Sequence, residues 1–369
     1  MTPQRQKRAV ATSAALVTAA MLALAGCSSS DDPGSAPQGP IVVANWGGLA
    51  SKSYQTAYLD PYTKDTGIEV QQVDAPGLFV ARTKAQAAAN RTEWDVLESI
   101  TDSDAAFLAD AGLLEPLPAD LKARLIGQLG EENVTDYGYH SGGTAMLIIC
   151  NTERVKVCPQ SMEEFFDVEK FPQKRAIIGF NPIYPITAAQ LALGVPRDKT
   201  STTPIDVDAV FAKLEEIRPL SVIWSTVDQG TQVLEQGEAD MGILYATRIY
   251  GELLPTGNYE VVWADGAQAQ GTTVVLKHAP HMKAAWNLVE WNATHPKEQA
   301  QFSVLAQKTA IDPASLEFVP ADQRERFANA PEHDGELAVP NAVDYNAKFD
   351  KINQRFQEFI SGPGNSIGG

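Results

Sequence analysis

Short apolar, β-branched runs alternate with helical segments along most of this 369-residue chain. Runs that are apolar on both faces are typical of strands in a parallel sheet covered by helices. The sequence therefore predicts an α/β fold in which strands and helices alternate along most of the chain. The predicted strands lie at 41–46, 68–73, 95–100, 144–150, 175–180, 221–226, 239–245, 259–263 and 272–277.

Helix boundaries are marked by capping residues. Asp206 is placed as the N-cap of an amphipathic helix over 206–218, and Gly237 as the residue that ends the helix before it. Pro296 is placed at the first turn of another helix. Tyr345 and the aromatic and aliphatic residues up to Phe359 recur at helical spacing, which predicts one amphipathic helix near the C-terminus.

The first 26 residues have the composition of an export signal. They are basic, contain no acidic residue, and carry an apolar run from Ala9 to Ala25 that is too short for a confident membrane span. Leu24-Ala25-Gly26-Cys27 matches the bacterial lipobox, in which the thiol is acylated and the chain is cut before it. We predict a signal peptide at 1–26 and a lipid on Cys27; the alternative is an ordinary secretory signal with an incidental cysteine.

Residues 27–40 after the predicted cleavage site are polar and rich in serine and proline. Such a segment buries too little apolar surface to offset its ordering entropy, so we predict a flexible tether. The whole chain carries 29 Lys+Arg against 46 Asp+Glu, a formal charge of −17. That charge repels nucleic acid and anionic lipid. We therefore expect no nucleic-acid partner, and membrane attachment through the lipid alone.

Cys150 and Cys158 are separated by seven residues. Outside the cytoplasm a close pair of this kind is typical of a disulfide. A metal site would need further ligands, and no histidine lies nearby. Two unpaired buried thiols are the other alternative.

Nucleotide-binding, metalloprotease and serine-hydrolase motifs are absent from the sequence. His278 and His281 lack a carboxylate or thiol at ligand spacing, and His140-Ser141 lacks an identifiable third group. We predict no metal site, no cofactor and no catalytic residue, and an extracytoplasmic enzyme is kept only as an alternative.

Several segments together resemble a known family. They are IVVANWGG at 41–48, DVLES at 95–99, PQSMEEFFDVEKFPQKR at 159–175, IWSTVDQ at 223–229 and GEADMG at 237–242. In this order they resemble the spermidine/putrescine group of solute-binding proteins that serve bacterial ABC importers. The resemblance runs from about 41 to 360.

The resemblance implies a type II periplasmic-binding-protein fold, in which two α/β lobes are joined by crossover strands and enclose a ligand cleft. The first crossover is expected near 144–150 and the return near 264–275. The implied organisation is lobe 1 at 41–145, lobe 2 at 146–265, a return to lobe 1 at 266–325, and a C-terminal helical segment at 326–369 that packs on lobe 2.

The resemblance also implies cleft residues. Trp46, Trp224 and Tyr245 match aromatic positions that suit an ammonium group or an alkyl chain. Thr101, Ser103 and Asp104 follow the third strand, where polyamine binders make polar contacts; Asp228 is the second acid placed near the cleft. Trp46 has the alternative of a core tryptophan.

The sequence departs from the polyamine pattern in three places. Gly48 and Leu49 stand where an acid and an aromatic are usual, and 181–187 lacks the expected acids. Arg248 follows Tyr245 where an acid or a small residue is typical, and it suits a ligand carboxylate. The alternative for Arg248 is an ion pair on the second lobe.

The sequence-based hypothesis is thus a membrane-tethered, monomeric receptor for an ABC permease. Its ligand is expected to be an amine-bearing solute, either a polyamine or a zwitterionic ω-amino acid. A ferric-iron or small-anion binder of the same fold is the alternative, although no Tyr-Tyr pair of the kind usual in iron binders occurs.

Overall fold

The structure is a computed structural model that describes residues 39–362 and 366–367. The predicted signal peptide, Cys27 and nearly all of the predicted tether lie outside the described residues. None of the helices within the described ranges is both long and apolar enough to cross a bilayer.

The strands form one mixed sheet in the order β10-β6-β5-β7-β4-β8-β3-β1-β2, with β9 beside β8. Every strand predicted from sequence has a counterpart in it. Their bounds are β1 Ile41–Asn45, β2 Val70–Asp74, β3 Val96–Thr101, β4 Gly138–Asn151, β5 Arg175–Ile178, β6 Ser221–Trp224, β7 Met241–Tyr245, β8 Tyr259–Val275, β9 Leu337–Ala338 and β10 Ser366–Ile367.

Two long antiparallel strands, β4 and β8, run side by side through the middle of the sheet. β8 has 17 residues, so the two strands predicted at 259–263 and 272–277 are one. The residues between them are small or polar, which hides the strand in the sequence, but their backbone pairing with β4 continues there, interrupted only by two register shifts. The prediction of two separate strands was wrong, because the middle of β8 has no apolar pattern.

The two long strands connect two lobes, each with its own hydrophobic core. One core combines side chains between 41 and 139 with others between 274 and 306. The other combines side chains between 145 and 269 with others between 338 and 359. The α/β fold of two lobes joined by crossover strands is confirmed, whereas the residue boundaries given above for each lobe stay a prediction.

Helices cover both faces of the sheet. The α-helices are α1 Gly48–Tyr54, α2 Asp60–Thr66, α3 Phe79–Ala88, α4 Asp102–Asp110, α5 Ala119–Leu129, α6 Met162–Phe166, α7 Ile183–Ala192, α8 Val207–Ile217, α9 Val227–Glu235, α10 Ala246–Arg248, α11 Met282–Thr294, α12 Pro296–Ala306, α13 Ala342–Ala347 and α14 Phe349–Ser361. π-Helical turns at Gln55–Leu59 and Ile249–Leu253 extend α1 and α10.

The capping residues chosen from sequence act as predicted. The Asp206 carboxylate accepts the backbone N–H of Ala209 at the start of α8. Gly237, with a φ of 76°, follows the C-cap of α9, and Pro296 begins α12. The C-terminal helix is different: it breaks at Lys348 into α13 and α14, so Tyr345 and Phe359 lie on separate helices.

The last part of the chain returns to lobe 2. β9 pairs in parallel with β8 at Gly266 and Ala267. On α14, Lys351 and Arg355 form ion pairs with Asp208 of α8. The segment is therefore fixed to the half of β8 that belongs to lobe 2 and to a helix of the same lobe.

Cys150 and Cys158 are joined by a disulfide, with their Cα atoms 5.8 Å apart. Both residues are buried in the core of lobe 2. The bond ties the end of β4 to the segment that leads into α6.

Candidate functional site

A small cavity lies where the two lobes meet. Lobe 1 contributes the start of α4, lobe 2 contributes the start of α7, β8 contributes two glutamines, and the segment after β9 closes one side. Its volume is about 30 Å³, which is room for one or two water molecules. A solute as large as an amino acid can enter only when the lobes move apart. The lining residues are Thr101, Asp102, Ser103, Asn181, Ile183, Tyr184, Gln268, Gln270, Val339, Pro340 and Ala342.

A bulge in β3 delivers α4 to this cavity. The pairing of β3 with β8 shifts between Leu97 and Ile100, and Ser99 there has a φ of +51°. Non-glycine residues in this region are strained and need support from their surroundings. Support comes from the indole N–H of Trp46, which donates to the Ser99 carbonyl at 2.8 Å, and from Gly271, where a Cβ would lie 2.1 Å from the Ser99 hydroxyl.

Asp102 is held by two residues of the crossover strands. Thr272 donates its hydroxyl to Asp102 Oδ1 at 2.6 Å, and His140 Nδ1 lies 3.1 Å from the same hydroxyl and 3.4 Å from Oδ1. His140 and Thr272 are register partners on β4 and β8. Among the described residues that line the cavity, Asp102 is the one with a formal charge.

Opposite Asp102, lobe 2 presents a group of aromatic rings. The Tyr184 ring lies 6.0 Å from that of Tyr245, which lies 6.2 Å from that of Trp224, and Phe180 packs edge-on against Trp224. Burial raises the pKa of Tyr184, and the charge of Asp102 adds to this effect, so its hydroxyl keeps its proton at neutral pH.

None of the aromatic residues predicted from sequence lines the cavity. Trp224 is 1% exposed and belongs to the core of lobe 2, and Tyr245 packs against that core. Trp46 packs edge-on against Phe79 in lobe 1. Of the residues predicted to bind ligand, Thr101 and Ser103 line the cavity in this closed arrangement.

The predicted charged residues are engaged with protein groups. Arg248 forms ion pairs with Asp228, at 2.7 Å, and with Glu252. In this arrangement Arg248 is thus in ion pairs, as the alternative stated above for it has it. Asp104 lies in the first turn of α4, where burial raises the pKa of its carboxyl group.

The comparison with known sequences decides the class of protein. Residues 57–332 match the family described as bacterial extracellular solute-binding protein. The chain belongs to this family. By this membership the chain is an extracellular solute-binding protein.

Two relatives are similar to this chain over most of its length. The γ-aminobutyric acid-binding protein of Pseudomonas aeruginosa is 26% identical over 333 residues, which cover 87% of this chain and 91% of that protein. The structure of the Atu4243-GABA receptor superposes with a TM-score of 0.78 at 27% identity, covering 88% of this chain and 98% of that one.

The resemblance to the polyamine group is borne out only at the level of fold. The spermidine/putrescine-binding protein PotD of Streptococcus pneumoniae matches with a TM-score of 0.68 at 17% identity, over 87% of this chain and 99% of that one. An identity this low shows a shared fold and says nothing about the ligand. The family is one of solute-binding proteins, so it gives no support to the enzyme alternative.

The sequence reasoning missed most of the cavity lining of this solute-binding protein. Asp102 stands between Thr101 and Ser103, which the sequence analysis did name, but nothing in the sequence shows that the Asp102 side chain also lines the cavity. The alternation Gln268-x-Gln270 is a readable signal, because it puts two amides on one face of β8. The contribution of residues 339–342 has no such signal, since they follow a two-residue strand.

Proposed function

We propose that this protein captures a small zwitterion with one amino group, such as an ω-amino acid, between its lobes and delivers it to the permease of an ABC importer. The observation that carries the proposal is the Asp102 carboxylate at the interlobe cavity. Thr272 occupies Asp102 Oδ1, so the second oxygen is available to an ammonium group.

The charge of the cavity supports one ammonium group rather than two. Burying an unpaired ammonium costs several kcal/mol. Asp102 can pair with one such group, and the other described lining residues are neutral. A diamine would need a second carboxylate, so a polyamine is the less favoured ligand.

The acidic end of a zwitterion would meet neutral hydrogen-bond donors. Asn181, Gln268 and Gln270, which carry amides, and Tyr184, which carries a hydroxyl, line the same cavity. Amides and hydroxyls can satisfy a carboxylate without a partner of opposite charge. The similarity to two GABA-binding proteins supports the same ligand class.

The remaining residues predicted from sequence stay proposed contacts of the wider cleft that forms when the lobes separate. They are Trp46, Asp104, Trp224, Asp228, Tyr245 and Arg248. None of them lines the cavity in the closed arrangement, so we propose that they contact the ligand during capture and contribute little to its affinity once the lobes have closed.

A thermal-shift comparison tests the ligand class. We expect γ-aminobutyric acid to raise the unfolding temperature, because ligand at 100 Kd stabilises by about 2.7 kcal/mol. Butyrate, putrescine, ferric citrate and phosphate at the same concentration should give smaller shifts. A larger shift with putrescine would restore the polyamine reading, and one with ferric citrate or phosphate would favour the metal or anion alternative.

We also propose that the mature protein is anchored to the outer face of the cytoplasmic membrane through a lipid on Cys27, and that it is monomeric. The lipobox supports the anchor. Cys27→Ser should abolish fatty-acid labelling and release the protein from membranes without detergent. Labelling of the variant equal to that of wild type would contradict the anchor, and light scattering of detergent-free protein tests the monomer.

A further inference from the structure

The short helix α13 is bound to lobe 2 on one side. Asn341, its N-cap, donates its side-chain amide to the Thr203 carbonyl at 3.1 Å. Asp344 accepts the backbone N–H of Ile205 at 2.7 Å, and Lys348 donates to the Ile205 carbonyl at 3.0 Å. With β9 before it and α14 after it, α13 is therefore fixed to lobe 2.

The other side of α13 contacts lobe 1. The side-chain amide of Asn346 donates to the backbone carbonyl of Ser103 at 3.2 Å. Tyr345 is buried, and its phenol lies close enough to Asp104 for the carboxylate to add to the burial that raises the pKa of Tyr345. Both contacts are made to the first turn of α4.

That turn is also the part of lobe 1 that lines the cavity. Thr101 caps α4 by accepting the Asp104 N–H at 3.1 Å, and its hydroxyl is 3.0 Å from that of Ser103. Asp102 lies between them. Whatever restrains Ser103 therefore restrains the carboxylate that we propose for the ligand.

We infer that Asn346 is a positioning residue for ligand binding: from lobe 2 it holds the first turn of α4 in place and stabilises the closed arrangement of the lobes. Asn346 does not line the cavity, so it acts through Ser103 and not through the ligand. The inference rests on the proposed function only in that the interlobe cavity is the binding site.

The expected size of the effect follows from one hydrogen bond. A side-chain hydrogen bond of this kind contributes about three- to tenfold to an equilibrium between two states. Asn346→Ala should therefore lower the closed-to-open equilibrium constant of the ligand-free protein by that factor. Because a ligand retained by closure escapes when the lobes open, its dissociation should become faster by a similar factor.

Val343 provides a matched control on the same helix. Its side chain is 79% exposed. Val343→Ala therefore shortens a side chain of α13 and leaves the hydrogen bond from Asn346 to Ser103 in place. Neither substitution removes a cavity-lining residue.

Hydrogen–deuterium exchange of the full ligand-free chain is the decisive measurement. Asn346→Ala should speed amide exchange of residues 101–106 about three- to tenfold, while Val343→Ala should leave it at the wild-type rate. Unchanged exchange in Asn346→Ala, or equal acceleration in Val343→Ala, would overturn the inference.

A binding measurement separates this inference from the proposed function. With γ-aminobutyric acid and any other probe that binds, Asn346→Ala should raise Kd by one common factor, because it changes closure and not recognition. A factor that differs between probes would mean direct contact and would overturn the positioning role. Should no amine bind at all, the proposed function fails, whereas the exchange experiment still decides the role of Asn346.

Discussion

Thr272 donates a 2.6 Å hydrogen bond to Asp102, so a strand that passes between the lobes holds the carboxylate that lines their shared cavity. His140, the register partner of Thr272, lies beside both groups, 3.1 Å from the Thr272 hydroxyl and 3.4 Å from Asp102 Oδ1. The crossover strands β4 and β8, about which the lobes move, thereby orient the Asp102 carboxylate that we propose for the ammonium group.

The Thr272 hydroxyl is the first test of this arrangement. Thr272→Val keeps the shape of the side chain but removes the donor, and hydrogen bonds to charged groups contribute about 1.5–3 kcal/mol. We expect the affinity for γ-aminobutyric acid to fall roughly tenfold by calorimetry.

Thr273 is the matched control, since its hydroxyl donates to Glu98 on the other face of β8. Thr273→Val should lower stability while leaving affinity close to that of wild type. Equal losses of affinity in the two variants would contradict a specific role of Thr272.

Arg248 tests a residue chosen from sequence. Asp228 and Glu252 already neutralise its guanidinium group, so a ligand must compete with two carboxylates. We expect Arg248→Ala to change the Kd of γ-aminobutyric acid less than threefold. A tenfold loss confined to probes that carry a carboxylate would instead establish the direct contact predicted from sequence.

Glu98 predicts a pH-dependent stability. Burial raises the pKa of its carboxyl group from 4.5 to about 7, although the Thr273 hydroxyl and the charge of Lys308 oppose the shift. Because the folded-state pKa is the higher one, the contribution of Glu98 to stability is complete below pH 4.5 and is lost as the pH rises through 7. The loss is about 3 kcal/mol.

Urea unfolding of Glu98→Gln at pH 5 and pH 8 measures this directly. The neutral amide cannot be ionised, so the variant should gain about 2.5 kcal/mol relative to wild type between the two pH values. Glu93 is exposed and lies three residues before β3, so Glu93→Gln should show no such gain. A constant difference between Glu98→Gln and wild type would rule out the titration of Glu98.

The fold was largely predictable because its signals are local. Apolar runs mark the strands, and Asp206, Gly237 and Pro296 mark helix ends through their own backbone preferences. The long strand β8 was missed because its middle carries no apolar pattern, and the pairing that extends it comes from β4, more than a hundred residues away.

The site was less predictable for the same reason. Sequence reasoning located the turn at 101–104 from the end of β3, but it named Asp104, which packs towards Tyr345, and passed over Asp102, which lines the cavity. Arg248 looked available because Asp228, on α9, comes close to it only in the folded chain. Pairings between distant segments decide which charges are free.

The Cys150–Cys158 disulfide is a prediction for the protein as its host exports it. Peptide mapping of that material should recover the two cysteines as one linked pair. The loop of eight residues corresponds to about 2.5 kcal/mol in the chain-entropy model, so reduction should lower the unfolding temperature. Two free thiols in exported protein would contradict the assignment.

Calorimetry on Asp102→Asn tests the central claim most directly. Asparagine keeps the size of the side chain and removes its charge. Losing a buried charge partner costs about 2–5 kcal/mol, so γ-aminobutyric acid should bind at least thirtyfold more weakly than to wild type, with an unchanged circular dichroism spectrum. Undiminished binding of γ-aminobutyric acid to a folded Asp102→Asn protein would contradict the assignment of the ammonium group to this cavity.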